Sequence, residues 1–143
     1  MTVLADARGW FTLEVPEGWD MQTEDSVTTL RSPHGGGIVY LSGARHMGGH
    51  QPSFGRADFL SRFLASLGIE VGEDDIAGSV GTGCRVYSHS RMSEGVCWRY
   101  FSVTDDETAL LISYSGEEGD AGRDAEAVDV IVGSVRLYHS RTH

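Results

Sequence analysis

The eight residues Val96-Cys97-Trp98-Arg99-Tyr100-Phe101-Ser102-Val103 constrain this chain more than any other stretch. Successive side chains on a strand point to opposite faces. Trp98 and Tyr100 therefore share one face, while Cys97, Phe101 and Val103 share the other. Apolar bulk on both faces belongs in the middle of a sheet that is covered on both sides. One cover is a layer of helix. The other is either a second helix layer or a partner subunit; the intramolecular cover is the preferred reading, and a homodimer is the alternative.

The flanking sequence supplies the sheet. Cys84-Arg85-Val86-Tyr87-Ser88-His89-Ser90 precedes the central strand across a turn at Met92-Ser93-Glu94-Gly95. Ala109-Leu110-Leu111-Ile112-Ser113-Tyr114 follows it after Asp105-Asp106-Glu107. Strands in series with short acidic or glycine turns form an antiparallel meander. Upstream, Trp10 to Val15 alternates with Phe11, Leu13 and Val15 on one face, and Pro16-Glu17-Gly18 breaks it, with a tight turn expected over Val15 to Gly18. Trp19 is expected to pack back on the sheet. Val27 to Arg31 and Ile38 to Ser42 form a hairpin around Pro33-His34-Gly35-Gly36-Gly37, whose glycines tolerate positive φ.

Two helices are expected. Over Arg56 to Gly68, Phe59, Leu60, Phe63, Leu64 and Leu67 form one apolar stripe, and Gly68 stands where a C-terminal glycine belongs. Asp120 to Val132 carries a narrower stripe of Ala125, Val128, Ile131, Val132 and Val135, with Asp120 as N-cap. Val135 to Tyr138 closes the chain as a short strand. The order is three strands, a helix, three or four strands, a helix and an edge strand. It specifies an α+β fold, a single-domain twisted antiparallel sheet with helices packed against it, spanning residues 1–143.

Composition narrows the function. Among 143 residues, 21 are acidic and 11 basic, for a net charge of −10 with histidine neutral. Every basic residue is arginine, and no arginine cluster overrides the acidic field, so nucleic acid and anionic membranes are excluded as partners. No run approaches the roughly 18 apolar residues of a membrane span. The stretch Met1 to Arg8 lacks the pattern of a signal peptide, which makes a cytoplasmic location the expectation.

The chain resembles the Mog1/PsbP-like domains in three features: the opening Phe11-Thr12-Leu13-Glu14-Val15-Pro16-Glu17-Gly18-Trp19, the hairpin leading into an amphipathic helix near mid-chain, and the ending Asp129 to Leu137. The resemblance implies a strongly twisted antiparallel sheet with helices on both sides, an α/β/α sandwich. Similar proteins include a regulator of a small GTPase, photosystem accessory proteins, and chaperones or adaptors of secreted bacterial effectors. What they share is protein binding without catalysis, though fold does not fix function. The resemblance carries no family motif that assigns a site residue.

No residue pattern points to an enzyme. The chain has no Gly-x-Ser-x-Gly elbow, and Gly35-Gly36-Gly37 lacks the Gly-Lys-Ser/Thr ending of a phosphate loop. The acidic runs at 73–75, 105–107 and 117–118 match no EF-hand. Cys84 and Cys97 lie on adjacent strands. With the turn centred near Ser93-Glu94, His89 or Ser90 faces Cys97 and Cys84 lies far up the ladder, so a disulfide fails on distance. Arg99 and His89 are the side chains available to activate Cys97.

The leading reading is a non-enzymatic protein-binding module without a cofactor: an adaptor, accessory or chaperone-like domain with an unidentified protein partner. Its candidate partner-binding residues are the sheet aromatics Tyr87, Trp98 and Tyr100. The alternative is a small-ligand or metal-binding domain that uses the loop 43–55, with His34, His46 and His50 as ligands. His46 and His50 have i, i+4 spacing, but Gly48 and Gly49 deprive it of helical meaning.

Overall fold

A computed structural model describes residues 2–25, 27–33, 35–45, 57–72, 75–81, 84–105 and 108–138. The elements run β1 (Thr2–Ala5), β2 (Phe11–Val15), β3 (Asp20–Glu24), β4 (Val27–Arg31), β5 (Ile38–Arg45), α1 (Ala57–Ser66), β6 (Ala77–Gly81), β7 (Cys84–Ser93), β8 (Val96–Thr104), β9 (Thr108–Glu117), α2 (Glu118–Gly133) and β10 (Arg136–Leu137). Seven strands form an antiparallel sheet in the order β3-β4-β5-β9-β8-β7-β6, and β1-β2-β10 form a smaller one. The two-sided apolar strand β8 lies well inside the large sheet, between β9 and β7.

Both faces of β8 are covered within the chain. On one face Phe101 and Val103 join the main core with Phe11, Leu13 and Val15 of the small sheet and with Val128, Ile131 and Val132 of α2. On the other face Tyr100 packs with Leu60 and Leu64 of α1, and Phe63, Tyr87 and Trp98 close around them. Helices therefore occupy opposite sides of one sheet. The second cover is α1, so no partner subunit is required to bury Tyr100.

Local chemistry explains the boundaries. Helix α1 ends on Gly68 at φ +81, with Gly68 N–H donating to Ala65 C=O and Ile69 N–H to Leu64 C=O. That pair of bonds is the Schellman arrangement. Leu67 lies beyond the last helical turn and is 53% exposed, so the buried stripe is Leu60 and Leu64. Helix α2 starts two residues before the expected position, with Glu117 as N-cap in place of Asp120, because β9 runs straight into it. Glu118 and Asp120 in the first turn complement the positive end of the helix.

Three strands lack a readable pattern in the sequence. All five residues of β3 are exposed, β1 is exposed at three of its four positions, and β6 is built from small residues. The opening turn also differs by one residue: Trp19 N–H bonds to Pro16 C=O, which places Gly18, at φ +89, in the third position, where positive φ is required. Trp19 is buried, as expected. The β7–β8 hairpin turns on Glu94 (φ 52) and Gly95 (φ 78), the two left-handed residues of a type I′ turn. The resulting register sets Met92 opposite Cys97 and His89 opposite Tyr100. The expectation that His89 or Ser90 faces Cys97 is corrected, since a two-residue loop shifts the ladder toward the turn.

Candidate functional site

Tyr87, Trp98 and Tyr100 share the face that α1 covers, and the structure brings all three into one cluster. Their exposure differs. Tyr100 is 5% exposed, and its burial raises the phenol pKa above the ordinary range, a shift the positive charge of Arg91 partly offsets. Tyr87 is half-buried, with its ring 3.1 Å from where a Cβ on Gly78 would stand. Trp98 is half-buried at the margin of α1. Its ring stacks on Tyr100, with centroids 6.1 Å apart and planes within 3°. Trp98 borders two open grooves, and Tyr100 borders one of them.

Two grooves meet at this ring. One, of about 390 Å³, runs between the end of α1 and the hairpin, lined by Leu67, Ile69, Arg91, Ser93, Trp98 and Tyr100. The other, of about 450 Å³, lies toward the Val96 end of β8 and includes Gly36, Gly116, Glu117 and Asp120. Exposed Leu67 and Arg91 flank the first groove, and exposed Glu117 flanks the second. A half-buried tryptophan between a groove of mixed apolar and basic lining and an acidic one suits contact with another molecule, because one face of the side chain is fixed while its edge stays accessible.

Behind the second groove lies a polar network that the sequence reading missed. Asp124 is 0% exposed and accepts hydrogen bonds from Ser32 Oγ and Tyr114 OH, each at 2.6 Å. Tyr114 is 1% exposed, and its phenol pKa is raised by burial first, then by its hydrogen bond to Asp124 and that carboxylate's charge. Glycines make the space: a Cβ on Gly116 would stand 2.5 Å from Tyr114 OH, and one on Gly37 would collide with Asp124 Oδ2. The signal was present in the α2 spacing. Asp124, Val128, Ile131 and Val132 form the buried face of α2, Val135 lies past its end, and Ala125, assigned to the stripe, is exposed. With its oxygens satisfied by internal donors, the network ties the residue after β4 to β9 and α2.

The remaining candidates part company. Cys84 is buried and Cys97 half-buried, and the two are not joined in a disulfide. Arg99 is engaged elsewhere, pairing with Asp129 at 2.9 Å, and His89 Nδ1–H donates to the Asp75 carbonyl on the α1 face, so the electropositive setting for Cys97 is not assembled. His34, His46 and His50 lie outside the described residues, as does most of the loop 43–55. Among the described residues no group of three or more His, Cys, Asp or Glu side chains is arranged to hold a metal. No helix among them is long and apolar enough to cross a membrane.

No family model matches the chain, and no curated protein matches it in sequence. Solved structures do. Cyanobacterial PsbP (CyanoP) from Synechocystis sp. PCC 6803 superposes with a TM-score of 0.63 at 12% identity, covering 96% of this chain and 92% of that one. LpqN, involved in cell envelope biogenesis of Mycobacterium tuberculosis, gives 0.63 at 12% identity, covering 96% of this chain and 90% of its own. A protein from Bacteroides thetaiotaomicron VPI-5482 gives 0.63 at 15% identity, and this chain spans 48% of its length. At such identities the likeness is one of fold. Two helices on opposite faces of a large antiparallel sheet, superposing on PsbP over 92% of that chain, give this chain the Mog1/PsbP-like fold.

Proposed function

We infer that the protein is a non-catalytic protein-binding module whose contact surface is the groove between α1 and the β7–β8 hairpin, with Trp98 as anchor. The observation that carries this reading is the placement of Trp98. Its ring is held by Tyr100 on one side, adjoins Leu67 and Ile69 on another, and stays half-exposed. Buried aromatic anchors beside apolar pockets dominate binding energy at protein interfaces. The fold shared with PsbP and LpqN supports an accessory role for the chain. Tyr87 and Tyr100 serve by positioning Trp98 and α1, since α1 lies over them.

The partner is a heterologous protein or a second copy of the chain, and native mass spectrometry separates the two. The direct test compares capture by the wild type with capture by Trp98→Ala and Leu67→Asp. Loss of an anchor tryptophan is expected to weaken binding by about 2 kcal/mol or more, roughly 30-fold. Equal capture by folded variants would sink the reading. A cytoplasmic location belongs to the same proposal, and cell fractionation tests it; recovery with the envelope would instead ally the chain with the process LpqN serves.

A further inference from the structure

The hollow beyond Trp98 has a chemistry of its own. Along β8, Tyr100 occupies one side of the Trp98 ring, and the hollow of about 450 Å³ opens on the Val96 side. Gly36 and Gly116 line it without side chains. Two carboxylates reach it: Glu117, which is exposed, and Asp120, which sits 3.4 Å from where a Cβ on Gly36 would stand. Arg123 answers Asp120 at 2.7 Å, but Glu117 and Glu118 leave the start of α2 with more negative charge than positive. Over the whole chain the net charge is −10.

Such a site discriminates by charge. An anion is repelled. An apolar side chain would strip water from the carboxylates without replacing its hydrogen bonds. A guanidinium or ammonium gains twice, by lying against the indole and by pairing with the carboxylates. We propose that this hollow receives an arginine or lysine side chain of the protein partner, its cation set against the outer side of Trp98 and between Glu117 and Asp120. The proposal rests on the Trp98 groove being a protein-binding surface. It makes the partner segment bipartite, with an apolar residue over Leu67 and Ile69 and a basic residue past the tryptophan. The acidic field of the chain also draws a basic segment in and speeds its encounter.

The test uses two small probes on the full chain labelled for NMR: N-acetyl-arginine methylamide and its neutral isostere N-acetyl-citrulline methylamide. The readout is the Trp98 indole N–H, assigned by its disappearance in Trp98→Phe, together with the Gly116 amide. The arginine probe is expected to shift both saturably at low salt, and the citrulline probe to bind about tenfold more weakly, the loss of one favourable cation contact. A Glu117→Gln, Asp120→Asn double variant, with its remaining spectrum unchanged, is expected to lose the preference for arginine. Equal binding of the two probes, or an unaltered preference in the double variant, would overturn the proposal. Failure here, with partner capture still lost in Trp98→Ala, removes the cation and leaves the groove standing; capture unaffected by Trp98→Ala removes both.

Discussion

Replacing Tyr114 by Phe removes one oxygen from the centre of the molecule and leaves the ring packing in place. Tyr114 OH is the 2.6 Å donor to Asp124 Oδ2, and both residues are fully or almost fully buried. A hydrogen bond to a charged group contributes about 1.5–3 kcal/mol, and the acceptor left behind cannot turn to water. The hydrophobic contribution of the ring is retained, so the expected destabilisation is about 2 kcal/mol. For a chain of this size that lowers the melting temperature by roughly 4–8 °C. Urea titration followed by tryptophan fluorescence reads it as a lower midpoint with an unchanged slope. The same variant has a pH signature. The folded pKa of Tyr114 lies above its unfolded value. Its contribution is therefore complete below the unfolded pKa of about 10 and declines as pH rises through the interval above it. The difference between wild type and Tyr114→Phe should shrink by up to about 1.4 kcal/mol for each pH unit in that interval. A variant within about 0.5 kcal/mol of wild type at neutral pH would refute the assignment of Tyr114 to a buried charge-assisted bond.

Other expectations follow from the same geometry. Gly37→Ala drives a methyl group into the Asp124 carboxylate and should destabilise by about 1–3 kcal/mol, measured by thermal melting. Leu64→Ala empties the centre of the cluster under α1, where Leu64 is 0% exposed, and should cost about 2–5 kcal/mol, with red-shifted Trp98 fluorescence as α1 loosens. Under native conditions a thiol reagent should modify half-buried Cys97 well before buried Cys84. Both thiols should stay unpaired after mild oxidation, because Cys97 faces Met92 near the turn while Cys84 pairs with Gly81 at the far end of β7.

The interior of the large sheet was legible from residue pattern because interior strands obey a single rule. In β8 both sets of alternate residues are apolar, and the chain buries both. In β9, Leu110 and Ile112 alternate with the less buried Leu111 and Ser113. Edge strands escape such reading, since solvent accepts any residue: Asp20-Met21-Gln22-Thr23-Glu24 is held by its ladder to β4 and leaves no apolar trace. Asp124 escaped for the opposite reason. A carboxylate at a core position contradicts the hydrophobic pattern unless its donors, Ser32 at 92 residues' separation and Tyr114, are already known to be nearby. Trp98 was legible as a sheet aromatic. Its selection over half-buried Tyr87 and buried Tyr100 as the ring that borders both grooves needed the placement of α1, which depends on tertiary packing.

The two helical layers differ in how deeply they are anchored, and this gives the molecule an uneven resistance to opening. Among the described residues the main core gathers seventeen buried side chains, whereas the cluster under α1 rests on Leu60, Leu64 and Tyr100. Segments with few buried contacts open at lower free energy than the global transition. Amide hydrogens of α1 should therefore exchange faster than those of β8 and β9, which stay paired while α1 lifts away. Leu67 and Ile69, the wall of the Trp98 groove, ride on that less anchored layer. A partner seated in the groove must then hold α1 down, so occupancy should register as slowed exchange along residues 57–66, at positions the partner never touches.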